Sequence, residues 1–120
     1  MTAGPRPLEI RIRRASARLE VDFDDGLHAK LPAEYLRVES PSAEVQGHGP
    51  GQKLLVAGKA SVNIAAVEPI GNYAVRIRFT DGHDTGIYTW ALLHQLAREQ
   101  HGRWAAYLGA LAAAGRNRDR

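Results

Sequence analysis

Five histidines, His28, His48, His83, His94 and His101, are the side chains best suited to chemistry near neutral pH, because imidazole both titrates there and ligates metals. Two of them stand in glycine-bearing stretches beside acids: Glu44 precedes His48, and Asp81 and Asp84 flank His83. Brought together, His48, His83, Glu44 and Asp81 would form a mixed nitrogen and oxygen metal site. The more ordinary role of a loop histidine is to bond a nearby carbonyl and order its own turn. A ligand set needs several members, so that ordinary role carries more weight. His94 and His101 read as helix-surface residues, and His28 points away from an apolar strand face. The facial triad of iron oxygenases needs a His-x-Asp/Glu pair, whereas here Asp84 follows His83 directly and Gly49-Pro50 follows His48.

Other chemistries fail on context. Gly47-His48-Gly49-Pro50-Gly51 suggests a phosphate loop, but there is no GK[ST] ending, and Lys53-Leu54 leads into an expected strand instead of a helix. Ser16, Ser40, Ser42 and Ser61 lack the G-x-S-x-G setting of a nucleophile elbow. Cysteine is absent, which removes disulfides, zinc–thiolate centres and cysteine nucleophiles. Arg11 and Arg13 on one strand, and Arg76 and Arg78 on another, could build a basic face, with Tyr35, Tyr73 or Tyr88 stacking on single-stranded bases. Glu9, Glu20 and Asp22 dilute that face, and no aromatic–basic motif accompanies it, so nucleic-acid binding is the weaker reading. Trp90 and Trp104 read as packing anchors on helices.

The elements that must position these residues follow from pattern. The chain has 120 residues, 44% hydrophobic, which suits one domain with a core of its own. Its formal charge of +3 is concentrated at the two ends. No apolar run approaches the ~20 residues that span a bilayer, and the N-terminus lacks a signal-peptide core; a cytoplasmic protein is expected. Residues 1–7 read as a flexible arm. Leu8, Ile10 and Ile12 alternate with charges, as do Leu19, Val21 and Phe23, and Leu27, Ala29 and Leu31. Asp24-Asp25-Gly26 joins the last two runs as a hairpin. Pro32 opens a short helix over 33–37. Ser40, followed by Pro41, is expected to cap a turn within a long connection. A second hairpin runs through Gly71-Asn72 into Tyr73, Val75, Ile77 and Phe79, and Asp81-Gly82 turns into a short strand near 86–88. Thr89 should cap a helix carrying Leu92, Leu93 and Leu96, Gly102 should break or kink it, and Gly115 should end the stripe of Trp104, Leu108 and Leu111. Residues 115–120 form a basic tail, expected to be loose. The order, strands first and helices last, gives an α+β domain over 8–114: a small antiparallel β-sheet of hairpins with C-terminal helices packed on one face.

The segments LPAEYLRVESPSAEVQGHGPGQ, VNIAAVEPIGNYAVRIRFTDGHDTGIYTW and FDDG together resemble the gamma-butyrobetaine hydroxylase-like N-terminal domain family, in order and spacing, from about residue 8 to 96. The chain looks like a stand-alone bacterial member, W-x-x-Y-L at 104–108 included. The resemblance implies a domain that elsewhere precedes an oxygenase jelly roll; that jelly roll and its iron-ligand motif are missing here, so no hydroxylase activity is implied. Similar domains follow P-loop iron–sulfur carriers, which points to partner docking near metal-cofactor enzymes. The resemblance also implies zinc-ligand positions at Ser40, Ser42, Val45 and His83. Only His83 keeps a ligand, so zinc of that type is not expected.

The expected function is therefore a non-catalytic adaptor domain that docks a partner protein, with no cofactor. The expected contact surface comprises Ser40, Ser42, Glu44, Gln46, His48, Gln52, His83 and Asp84. Metal binding through His48 and His83, and nucleic-acid binding through the arginine strands, are the alternatives.

Overall fold

The computed structural model describes residues 4–47, 49 and 51–119. Alternating apolar residues pair as the pattern requires. Strands β1 (Pro7–Arg13), β2 (Arg18–Phe23) and β3 (His28–Pro32) form one antiparallel sheet in the order β1-β2-β3, with a 3-10 turn at Arg14–Ser16 between the first two. Strands β4 (Ile64–Ile70), β5 (Ala74–Phe79) and β6 (Gly86–Thr89) form a second, in the order β4-β5-β6. The hairpins thus divide between two three-stranded sheets. Their registers bring Leu19 opposite Leu31, Val21 opposite Ala29 and Val75 opposite Tyr88. The inner faces of both sheets meet in one core with Leu36, Leu93 and Leu96, all three fully buried. Leu8 departs from the alternation. The ladder shifts register between Pro7 and Glu9, so Leu8 becomes the extra residue of a bulge and lies 74% exposed. The arm expected over 1–7 is tied down from Arg6, whose N–H donates to Asp24 Oδ1 and whose carbonyl accepts from Asp24 N–H.

Helix α1 (Ala33–Val38) leaves β3 directly, and the single turn α2 (Ala43–Gln46) follows. Ser42, not Ser40, caps α2: its Oγ accepts from Glu44 N–H at 3.2 Å. The Ser40 hydroxyl bonds the His83 imidazole instead. Thr89 caps α3 (Trp90–Arg98) by accepting from Leu92 N–H, as expected. The break before α4 (Gln100–Ala113) falls at Glu99, and Gly102 sits within the first turn of α4. Gly115 closes α4, donating to Ala112 O while Arg116 N–H reaches Leu111 O.

The stretch after Lys53 forms no ladder strand. Leu55, Val56 and Ala57 instead pack beside Val38, Trp104, Tyr107 and Leu111. Three buried tyrosines hold these layers by donating to main-chain carbonyls at 2.6 Å: Tyr35 to Leu96 O, Tyr88 to Leu36 O and Tyr107 to Val56 O. The basic tail is docked: Asn117 O and Arg118 O accept from Gly58 and Ala60 N–H at 3.1 and 2.9 Å. Among the described residues, no helix is long and apolar enough to cross a membrane.

Candidate functional site

The connection after α1 and the turn after β5 meet at His83. Asp81-Gly82 makes that turn: Gly82, at φ 92°, donates to Phe79 O, and Asp81 Oδ1 accepts from His83 N–H at 3.1 Å. The imidazole then enters the interior, its side chain only 2% exposed. Its Nδ1 lies 3.0 Å from Glu44 Oε2 and its Nε2 lies 2.8 Å from Ser40 Oγ. A carboxylate only accepts, so Nδ1 carries the proton, Nε2 accepts, and Ser40 donates. Ser40 Oγ also accepts from Ser42 N–H at 3.2 Å. Ser42 Oγ lies 2.6 Å from Thr85 Oγ1, and Gln46 Nε2 donates to Ser40 O at 2.7 Å. Burial, followed by the charge of Arg37, lowers the His83 pKa below its ordinary 6.5, although Glu44 pulls the other way.

Gly86 fits this knot because it has no side chain: a Cβ there would lie 2.6 Å from Ser40 Oγ and 3.1 Å from Tyr88 Cε1. Beneath the turn, Asp81 Oδ2 accepts from Arg37 Nε at 2.8 Å and Lys59 Nζ at 2.6 Å. Burial raises the Asp81 carboxyl, but Lys59, the His83 N–H and Arg37 together outweigh it and hold it at about 2.

Of the residues expected at the site, Ser40, Ser42, Glu44, Gln46, Asp81 and His83 come together. Asp84 and Gln52 lie exposed, and His48 falls outside the described residues. Thr85, in the turn expected beside this loop, joins that group, and Arg37 and Lys59 are additions that the sequence does not mark. Ser42 and Thr85 stand 43 positions apart, and nothing local marks them as partners. His94 is not a plain surface residue: its ring packs edge-on against Phe23 with centroids 5.0 Å apart, and Nε2 lies 2.8 Å from Asp25 Oδ2.

The Ser40–His83–Glu44 chain has the connectivity of a nucleophile, base and orienting acid. Ser40 is nevertheless 0% exposed and its hydroxyl is already engaged. The implied zinc positions also converge here, but the donor set does not fit the ion. Valine offers no lone pair, Val45 is buried, and both His83 nitrogens and the Ser40 hydroxyl are bonded within the chain. Asp81 is likewise engaged by two cations. Among the described residues, no group of three or more His, Asp or Glu is placed to hold a metal.

The arginines proposed for nucleic acid are paired instead. Glu20 receives Arg11, Arg13 and Arg18, Asp22 receives Arg11, and Glu68 receives Arg76 and Arg78. Arg11, with His28 next, holds the Asp22 carboxyl at about 2.

This is a small α+β domain whose polar centre is an internal hydrogen-bonded knot. The family model described as gamma-butyrobetaine hydroxylase-like, N-terminal, matches residues 10–94, and the chain belongs to that family. Two solution NMR structures are similar. One is 46% identical with a TM-score of 0.84, covering 96% of this chain and 90% of that chain. The other is 47% identical with a TM-score of 0.82, covering 98% and 90%. A crystal structure from Acidithiobacillus ferrooxidans, of a protein with unknown function in the DUF971 family, is 43% identical with a TM-score of 0.66, covering 77% of this chain and 92% of that one. No curated protein matches this sequence.

Proposed function

We propose that the domain is a non-catalytic adaptor whose platform, α2 with the 81–85 turn, docks a partner protein. One observation carries the reading. The buried Ser40–His83 bond, with the half-exposed His83–Glu44 bond beside it, fastens a loop to a turn 43 positions away, while Glu44 and Asp84 stay exposed on the rim. A preformed surface loses little freedom on binding, which favours recognition. The sealing of Ser40 speaks against acyl transfer, since a nucleophile must reach its substrate. The rim acids suit a basic surface on the partner.

The test is affinity capture from cell lysate with the untagged-face orientation kept constant, comparing the wild type with the double variant Glu44→Lys, Asp84→Lys. A protein captured by the wild type and lost with the double variant supports docking. Identical eluates would sink it, as would turnover of a substrate or stoichiometric zinc or iron in protein purified without a histidine tag.

A further inference from the structure

The tail presents a separate recognition geometry, independent of the docking platform. Arg118 donates from Nε and Nη2 to both carboxylate oxygens of Glu34, at 3.1, 2.9 and 2.7 Å. Its guanidinium carbon lies 5.4 Å from the ring centroid of Trp104. With Arg118 seated the Glu34 side chain is 7% exposed, and the slot joins an acid and an aromatic face matched to a planar fork. Its walls are set without the tail. Glu34 belongs to α1, which is anchored by Tyr35 OH to Leu96 O, and Trp104 rests against the rings of Tyr35 and Tyr107.

The tail itself is a plain occupant. Its described side chains from Gly115 to Asp119 are exposed; its bonds to Gly58 and Ala60 are main chain to main chain, and besides Arg118 on Glu34 its other side-chain anchor is Arg116 Nη1 donating to the Leu55 carbonyl at 3.1 Å. Main-chain pairing of this kind is blind to sequence, and the side-chain slot supplies the selectivity. A short segment with no apolar burial opens at low free energy.

We infer that the Glu34–Trp104 slot is a receptor for an arginine side chain carried on an extended peptide, filled in the free protein by the chain's own Arg118. A partner segment with arginine in the same register replaces the tail bond for bond. Lysine, a point charge, does not reproduce the two parallel bonds. Tethered, Arg118 competes at high effective concentration and keeps the slot closed to weak ligands.

The experiment uses the full chain and an acetylated peptide of sequence RNRDR, the chain's residues 116–120, followed through the indole NMR signal of Trp104. R118A is expected to bind this peptide at least tenfold more tightly than the wild type. Adding Glu34→Gln to R118A, or placing citrulline for the central arginine of the peptide, should abolish binding. Equal affinity for wild type and R118A, or equal binding of the citrulline peptide, would overturn the inference. If R118A does not fold, R118K takes its place and is read by the same outcomes.

Discussion

The protein contains the same turn twice, and the two copies are used differently. Phe23-Asp24-Asp25-Gly26-Leu27 and Phe79-Thr80-Asp81-Gly82-His83 share their hydrogen bonds. The phenylalanine N–H reaches the carbonyl of the last residue, the glycine N–H reaches the phenylalanine carbonyl, and the central aspartate accepts the N–H two residues on. The glycine φ values are 91° and 92°. Five residues of local sequence fix the backbone in both sheets. Two side chains differ, Asp24 against Thr80 and Leu27 against His83, and the one that follows the glycine decides what the turn holds. Leu27 packs against the core, and the first turn reaches outward through its acids, Asp25 to His94 and Asp24 to Arg6, whereas in the second turn His83 itself reaches two groups on the distant connection and fastens it down. Local chemistry therefore makes the turn, and the residue after the glycine decides whether an imidazole clasps it to the 40–44 connection.

Making the second turn resemble the first is the sharpest break. His83→Leu strands the Ser40 hydroxyl in the interior and should lower unfolding stability by about 2 kcal/mol in denaturant titration. The same variant tests the sign of the pH dependence. The folded pKa of His83 lies below 6.5, so the unfolded chain binds the proton more readily. Its contribution is complete above pH 6.5 and is lost as pH falls toward the folded value. The wild type should therefore lose stability on acidification through this window more steeply than the leucine variant, and parallel curves would refute the clasp.

Next in size, Gly26→Ala and Gly82→Ala should each cost about 1–2 kcal/mol, because both backbones are left-handed. Comparable losses by thermal melts would show that the turns are equivalent. A much larger loss at Gly82 would place part of the clasp in the turn itself. Smallest is Glu44→Gln, expected to cost less than about 1 kcal/mol, since that carboxylate is mostly solvated. Its use is to separate the exposed arm of the clasp from the buried Ser40 arm.

The turns, the Thr89 cap and the Gly115 stop could be read from sequence because each rests on neighbours a few residues apart. Leu8 could not, because a bulge depends on the partner strand's register. Ser40 was assigned a capping role that Ser42 fills, since both serines satisfy the local rule and only the distant His83 decides between them. The tail looked loose because its charge and lack of apolar residues suit a frayed end, while its anchor Glu34 lies 84 positions away. The site was partly visible for the same reason. The candidate residues and the loop and turn that carry them could be named, but the individual bonds between them could not.

The three tyrosines that donate to carbonyls have one more consequence, at the alkaline end. Burial pushes Tyr35 up to about 12 and shifts Tyr88 and Tyr107 upward as well. Losing the phenolic proton would put an anion against a carbonyl oxygen, so these rings resist ionisation while the layers stay together. Above pH 10 the unfolded chain releases the protons that the folded one keeps, and stability drains away. Tyrosinate absorbance from these rings should therefore rise together with the loss of tertiary circular dichroism, making the phenols a built-in optical gauge of whether the domain is intact.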